Sequence, residues 1–111
     1  MKIPNSEYAV VSIEKLIDYC LNMDHPRGCH KARVFATALG ITKNEAEQLR
    51  TAMLDACRNY EAILSKKDEY GQRYILDFPM KGTEGLVWIR SLWIICKHEI
   101  VSRLTSCFVL R

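Results

Sequence analysis

Apolar residues repeat every three or four positions through the first half of the chain and at every second position after Gly71. A helix imposes the first period and a strand the second. The change of period therefore sets the order of elements, helices first and strands afterwards. Elements segregated in this way build α+β folds, with the helices on one face of an antiparallel sheet.

Ser12 precedes Ile13, Leu16, Ile17, Cys20 and Leu21 and is a natural N-cap. This first helix is expected to end near Asn22, ahead of the turn-rich Asp24-His25-Pro26-Arg27-Gly28. A second helix begins near Cys29 or His30, turns Ala32, Phe35, Ala36 and Leu39 inward, and stops at Gly40. Thr42 and Glu45 form a capping box for a third. Its stripe of Ala46, Leu49, Met53, Ala56, Cys57 and Tyr60 is expected to run to about Leu64. Ser65 to Glu69 reads as a polar linker loop.

Tyr74, Leu76 and Phe78 then face one way, and Arg73, Ile75 and Asp77 the other. Pro79 to Gly85 is expected to make a hairpin connection. Leu86 to Ile95, apolar on both faces, is expected as a central strand. Lys97 to Ser102 turns the chain, and Leu104 to Leu110 makes the last strand. The expected fold is three N-terminal helices packed on a C-terminal antiparallel meander of three strands, or four if Tyr8 to Val11 supplies another. At 111 residues a single α+β domain spanning 1–111 is expected.

Sixteen basic against thirteen acidic residues give a net charge of +3, which permits a nucleic-acid partner without requiring one. The longest apolar run, Leu86 to Cys96, is broken by Arg90-Ser91 and falls short of the ~20 residues of a membrane span. No membrane partner is expected. Met1 to Glu7 lacks the apolar stretch of a signal peptide. The five cysteines, Cys20, Cys29, Cys57, Cys96 and Cys107, are odd in number and contain no CxxC. Both features fit a cytoplasmic chain with free thiols. Cys29, His30 and His25 raise the question of zinc, but a structural site needs a second pair of ligands that the sequence does not offer. No metal or other cofactor is expected.

Polar residues inside apolar strands are the informative exceptions. Arg90-Ser91 interrupts the central strand, with Arg73 in the strand before it and Thr105 in the strand after. If Arg73 and Arg90 meet, they form a cationic patch suited to a phosphate. Otherwise one arginine pairs with Asp77 or snorkels at a sheet edge. His30 lies in the first turn of the second helix, beside Lys31 and three residues before Arg33 on the same helix face. Imidazole suits proton transfer near neutral pH.

A histidine among cations, facing a sheet that carries arginines and Tyr74, can cleave RNA without a metal. One group takes the 2′-hydroxyl proton, arginines stabilise the pentavalent phosphate, and a second group protonates the leaving oxygen. The candidate catalytic set is His30, Arg33, Arg73, Tyr74 and Arg90, with Lys31, Ser91 and Arg103 assisting binding. His30 as a capping or solvated side chain is the plainer alternative, while His25 reads as a turn residue and His98 as an exposed one. Ala36 to Thr42 looks like the turn of a helix-turn-helix, so a DNA-binding regulator is a further reading. Glu45 and Glu47 at the leading end of that recognition helix would repel phosphates.

Several strings carry a resemblance. They are His30-Lys31-Ala32-Arg33-Val34-Phe35 with Ala38-Leu39-Gly40, Asp68-Glu69-Tyr70-Gly71-Gln72-Arg73-Tyr74, Leu76-Asp77-Phe78-Pro79, Arg90-Ser91 with Trp93-Ile94, and Arg103-Leu104 with Cys107. From about Pro4 to Leu110 the chain resembles an uncharacterised bacterial domain family. Its members occur as small proteins beside another small protein and as C-terminal modules of large secreted toxins. The resemblance implies toxin–antitoxin or toxin–immunity pairing, with a cognate partner encoded nearby. The element order is similar to the barnase–RelE-like ribonuclease class, which implies RNA as substrate. The alternative role is a non-catalytic module, an antitoxin, immunity or accessory protein, docking through its helices or an exposed sheet edge.

Overall fold

A computed structural model describes residues 1–110 and shows the α+β arrangement. A 3₁₀ turn, Ser6–Tyr8, leads to α1, Ile13–Lys15, which continues as a π-type turn over Leu16–Cys20. The Ser12 side chain accepts the Lys15 N–H at 3.3 Å, as an N-cap should. α2 spans Cys29–Leu39 and ends at Gly40, whose φ of 66° is the left-handed stop that glycine takes without strain. A 3₁₀ turn, Lys43–Glu45, opens into α3, Ala46–Asn59.

The Thr42–Glu45 capping box is complete. Glu45 Oε1 accepts the Thr42 N–H at 2.7 Å, and Thr42 Oγ1 accepts the Asn44 N–H. The Thr42 N–H, and then its hydroxyl, hold the Glu45 carboxyl below its ordinary value. A lowered carboxyl stabilises the fold above its unfolded pKa and ceases to do so as acid protonates it. Thr42→Ala should therefore cost about 1 kcal/mol near pH 7. Urea midpoints of the two proteins should draw together below about pH 4, where carboxylates titrate. An equal gap at pH 7 and pH 3 would show that the bond from the Thr42 hydroxyl to Glu45 adds nothing, the backbone N–H bond being present in both proteins.

Four antiparallel strands follow in the order β1-β2-β3-β4: Ile63–Lys67, Gly71–Gly82, Gly85–Cys96 and Arg103–Val109. β2 and β3 pair from Gly71↔Cys96 to Gly82↔Gly85, leaving Thr83-Glu84 as the tip. The fourth strand differs from expectation. Tyr8 to Val11 contributes a single parallel bridge, Val10↔Arg103, and the added strand is β1. α3 ends at Asn59 instead of Leu64, because Tyr60 turns extended (φ −111°, ψ 151°). Ser65 to Lys67, expected as loop, belongs to β1.

Pro79 is also inside a strand. β1 covers β2 only as far as Ile75, so the second half of β2 is an edge. The Trp88 carbonyl accepts the Leu110 N–H on the β4 side, so the Pro79↔Trp88 pair is the non-hydrogen-bonded kind. The Pro79 nitrogen therefore points to the open edge, where a missing N–H is tolerated.

One face of the sheet is packed. Tyr74, Leu76, Phe78, Ile89, Trp93, Leu104 and Cys107 join Leu16, Phe35, Leu49, Met53 and Cys57 of the helical layer in one core. No helix among the described residues is long and apolar enough to cross a membrane.

Candidate functional site: the open face of the sheet

Cross-strand partners in an antiparallel pair share a face. The face turned away from the helices therefore reads as rows: Arg73–Ile94–Arg103, Ile75–Leu92–Ser106, Asp77–Arg90–Phe108, then Pro79–Trp88 and Lys81–Leu86. Thr105 lies at the register shift of β4, with its hydroxyl donating to the Leu92 carbonyl at 3.1 Å. A hollow of about 240 Å³ lies here, lined by Ser65, Arg73, Ile75, Leu92 and Thr105 among others.

Three of the expected site arginines stand on this face, but they do not meet. Arg73 and Asp77 are four residues apart on β2, roughly 13 Å at the strand rise, with the Ile75–Leu92 row between them. Each arginine has its own carboxylate. Arg73 Nε donates to Asp68 at 2.7 Å, and Arg103 Nε to Glu99 at 3.2 Å. Arg90 makes the bidentate pair with Asp77 that the sequence offered as the alternative, both bonds 2.9 Å. Hydrogen bonding to Arg73 is the main cause that holds the Asp68 carboxyl below its usual range, and the bond to Asp77 raises Arg90 further.

The other expected residues sort by face and burial. Tyr74 belongs to the core face and is 6% exposed, so it cannot stack on a base. Ser91 is wholly buried. Its hydroxyl donates to the Leu76 carbonyl at 2.6 Å and accepts from Trp93 Nε1 at 2.8 Å, a bond to one neighbour and a support for the other. His30, Lys31 and Arg33 are exposed on α2, which packs on the opposite face from the arginines. Among the described residues no hydrogen bond or ion pair joins His30 to Arg73 or Arg90, so the expected common hollow is not formed. His25 is a turn residue: its Nδ1 accepts the N–H groups of Arg27 and Gly28, both at 3.0 Å.

A different cluster takes its place. Lys31 Nζ sits 4.4 Å from the centre of the Phe108 ring, and Phe108 is the cross-strand partner of Arg90. Trp88, 49% exposed, is the next outward residue along β3. Arg90 is thus bounded by a carboxylate on one strand, aromatic rings beside and ahead of it, and a lysine at the rim. Sequence reasoning missed Asp77, Trp88 and Phe108 as site residues. Parity alone placed Asp77 outward, but only the register brings it to Arg90.

The thiols lie elsewhere. Cys20, Cys57 and Cys107 are buried, and Cys29 and Cys96 half-buried, all free. The bond to Cys107 draws the Cys20 thiol down to about 7, while burial pushes Cys57 up to about 11. Among the described residues no three His, Cys, Asp or Glu side chains are grouped to hold a metal.

The profile of a family described as a domain of unknown function, DUF6883, matches residues 2–111. No curated protein matches. Among solved structures, a chain of the contact-dependent growth inhibition toxin–immunity protein complex from Klebsiella pneumoniae 342 is similar, with a TM-score of 0.69 and 16% identity. The match covers 96% of this chain and 97% of that one, and shows a shared fold.

Proposed function

The chain belongs to the DUF6883 family of domains of unknown function, and we propose that it is a toxin-type ribonuclease domain whose working surface is the open sheet face around Asp77 and Arg90. The observation that carries this reading is the carboxylate–guanidinium pair on an uncovered face, flanked by Trp88 and Phe108. Asp77 accepts the proton of a 2′-hydroxyl, and that oxygen attacks the adjacent phosphorus. Arg90, already positioned on the carboxylate, takes up the charge of the pentavalent phosphate. Water returns a proton to the leaving 5′ oxygen, which yields a 2′,3′-cyclic phosphate; His30, on α2 at the other side of the sheet, takes no part in the step. Trp88 offers a ring on which a base stacks. This scheme keeps Arg90 from the set expected from the sequence, omits His30, Arg33, Tyr74 and Ser91, and leaves Arg73 and Arg103 to their ion pairs. Support from the fold is analogy: the similar chain comes from a toxin–immunity complex.

Brief induction in a bacterial host, followed by gel analysis of total RNA, tests it. The wild type should cut RNA and arrest growth, and Arg90→Ala should do neither. Intact RNA with the wild type would reject the nuclease. A second reading, a non-catalytic immunity or antitoxin module, is favoured by exposed apolar residues at Leu86 on the open face and at Ile63 and Leu64 on the edge strand β1. Harmless expression together with a stable complex with the neighbouring gene product would select it.

A further inference from the structure

Between Asp18 and Glu45 the chain holds four lysines and arginines, Arg27, Lys31, Arg33 and Lys43, against one acid, Asp24; this stretch carries the whole +3 excess of the protein. The arginines of the sheet are neutralised by Asp68, Asp77 and Glu99. The charge on α2 is not. Arg27 in the turn ahead of α2, and His30, Lys31 and Arg33 on it, are all exposed, none is in an ion pair among the described residues, and α2 contains no acidic residue. Lys31 joins this strip to the open face, because its ammonium rests on Phe108, the partner of Arg90.

We infer that the basic strip of α2 is a phosphate-backbone track, continuous through Lys31 with the Arg90 row, and that the substrate is a polynucleotide long enough to lie on both. The inference rests on the ribonuclease reading and adds a substrate class to it. A net positive surface free of internal partners attracts a polyanion over a Debye length of about 8 Å at physiological salt. An ion-paired arginine gives no such pull. The track therefore sets affinity for long RNA, and the Asp77–Arg90 row sets chemistry at one phosphodiester.

The test compares a single-stranded oligoribonucleotide of about 20 nucleotides with a dinucleotide, using the wild type, Arg27→Glu/Arg33→Glu and Asp77→Asn. The double variant should raise KM for the long RNA about tenfold and leave dinucleotide turnover within about twofold. Its slope of log affinity against log salt should be shallower by about 0.7 for every phosphate that the variant no longer neutralises. Unchanged affinity for the long RNA, with Asp77→Asn inactive, would overturn the track and leave the nuclease standing. If no protein cuts either RNA, the nuclease reading fails. In that case anisotropy of the labelled long RNA still decides the track, since weaker, less salt-dependent binding by the double variant supports it and equal binding rejects it.

Discussion

Asp77→Asn should lower RNA cleavage by about 10²–10⁴-fold while the protein stays folded. An amide keeps the shape of the carboxylate and one acceptor oxygen, but it cannot take a proton from a 2′-hydroxyl. It also turns a donor group toward one of the Arg90 N–H groups that the two 2.9 Å bonds now satisfy. The side chains of the pair retain 35% and 27% of their exposure. Solvent screens such a pair, so its loss should cost no more than about 1 kcal/mol. A large kinetic effect with a small stability effect separates a chemical role from a structural one. Cyclic-phosphate product measured by chromatography, beside urea midpoints, gives both readings. Cleavage at the wild-type rate would remove Asp77 from the mechanism, and an equal loss in both measurements would make the pair a structural brace.

The second large effect concerns the start of the long hairpin. A Cβ on Gly71 would overlap the Ile95 carbonyl oxygen and lie 2.8 Å from Cys96 Cα, both backbone atoms that cannot rotate away. Its φ of 152° is also one that side-chain-bearing residues rarely adopt. Gly71→Ala must separate β2 from β3 at this end or shift their register. A loss of about 2–4 kcal/mol is expected, from overpacking together with backbone strain. Gly85→Ala is the control. Its φ is 119° but nothing lies within 4 Å, so only the backbone strain applies, about 1 kcal/mol. Urea midpoints of the two variants should differ clearly at unchanged m-value. Equal shifts would show that the hairpin yields at Gly71 without cost.

Local chemistry was legible in the sequence wherever it was self-contained. Ser12, Gly40 and the Thr42–Glu45 box act within a few residues of themselves, and each is where the residue pattern put it. Strand parity was equally plain: Tyr74 shares a face with Leu76 and Phe78, and Ser91 with Trp93. That parity already argued against Tyr74 and Ser91 as partners of Arg73 and Arg90, and burial agrees with it. β1 was hidden because Ile63 and Leu64 are both exposed, so the strand shows no alternation. Its lysines suit a sheet edge and read equally well as loop. The meeting of Asp77 with Arg90, and the offset of Arg73 from both, depend on a register that no local signal encodes.

Pro79 has a consequence for behaviour at high concentration. Beyond Ile75 the margin of β2 is unclaimed by any neighbouring strand, and an unclaimed margin can recruit the same segment from another molecule. The pyrrolidine ring leaves that recruiting chain without a donor midway along the vacant stretch. Two copies laid side by side there would lack that bond, whereas a valine at this place would supply it.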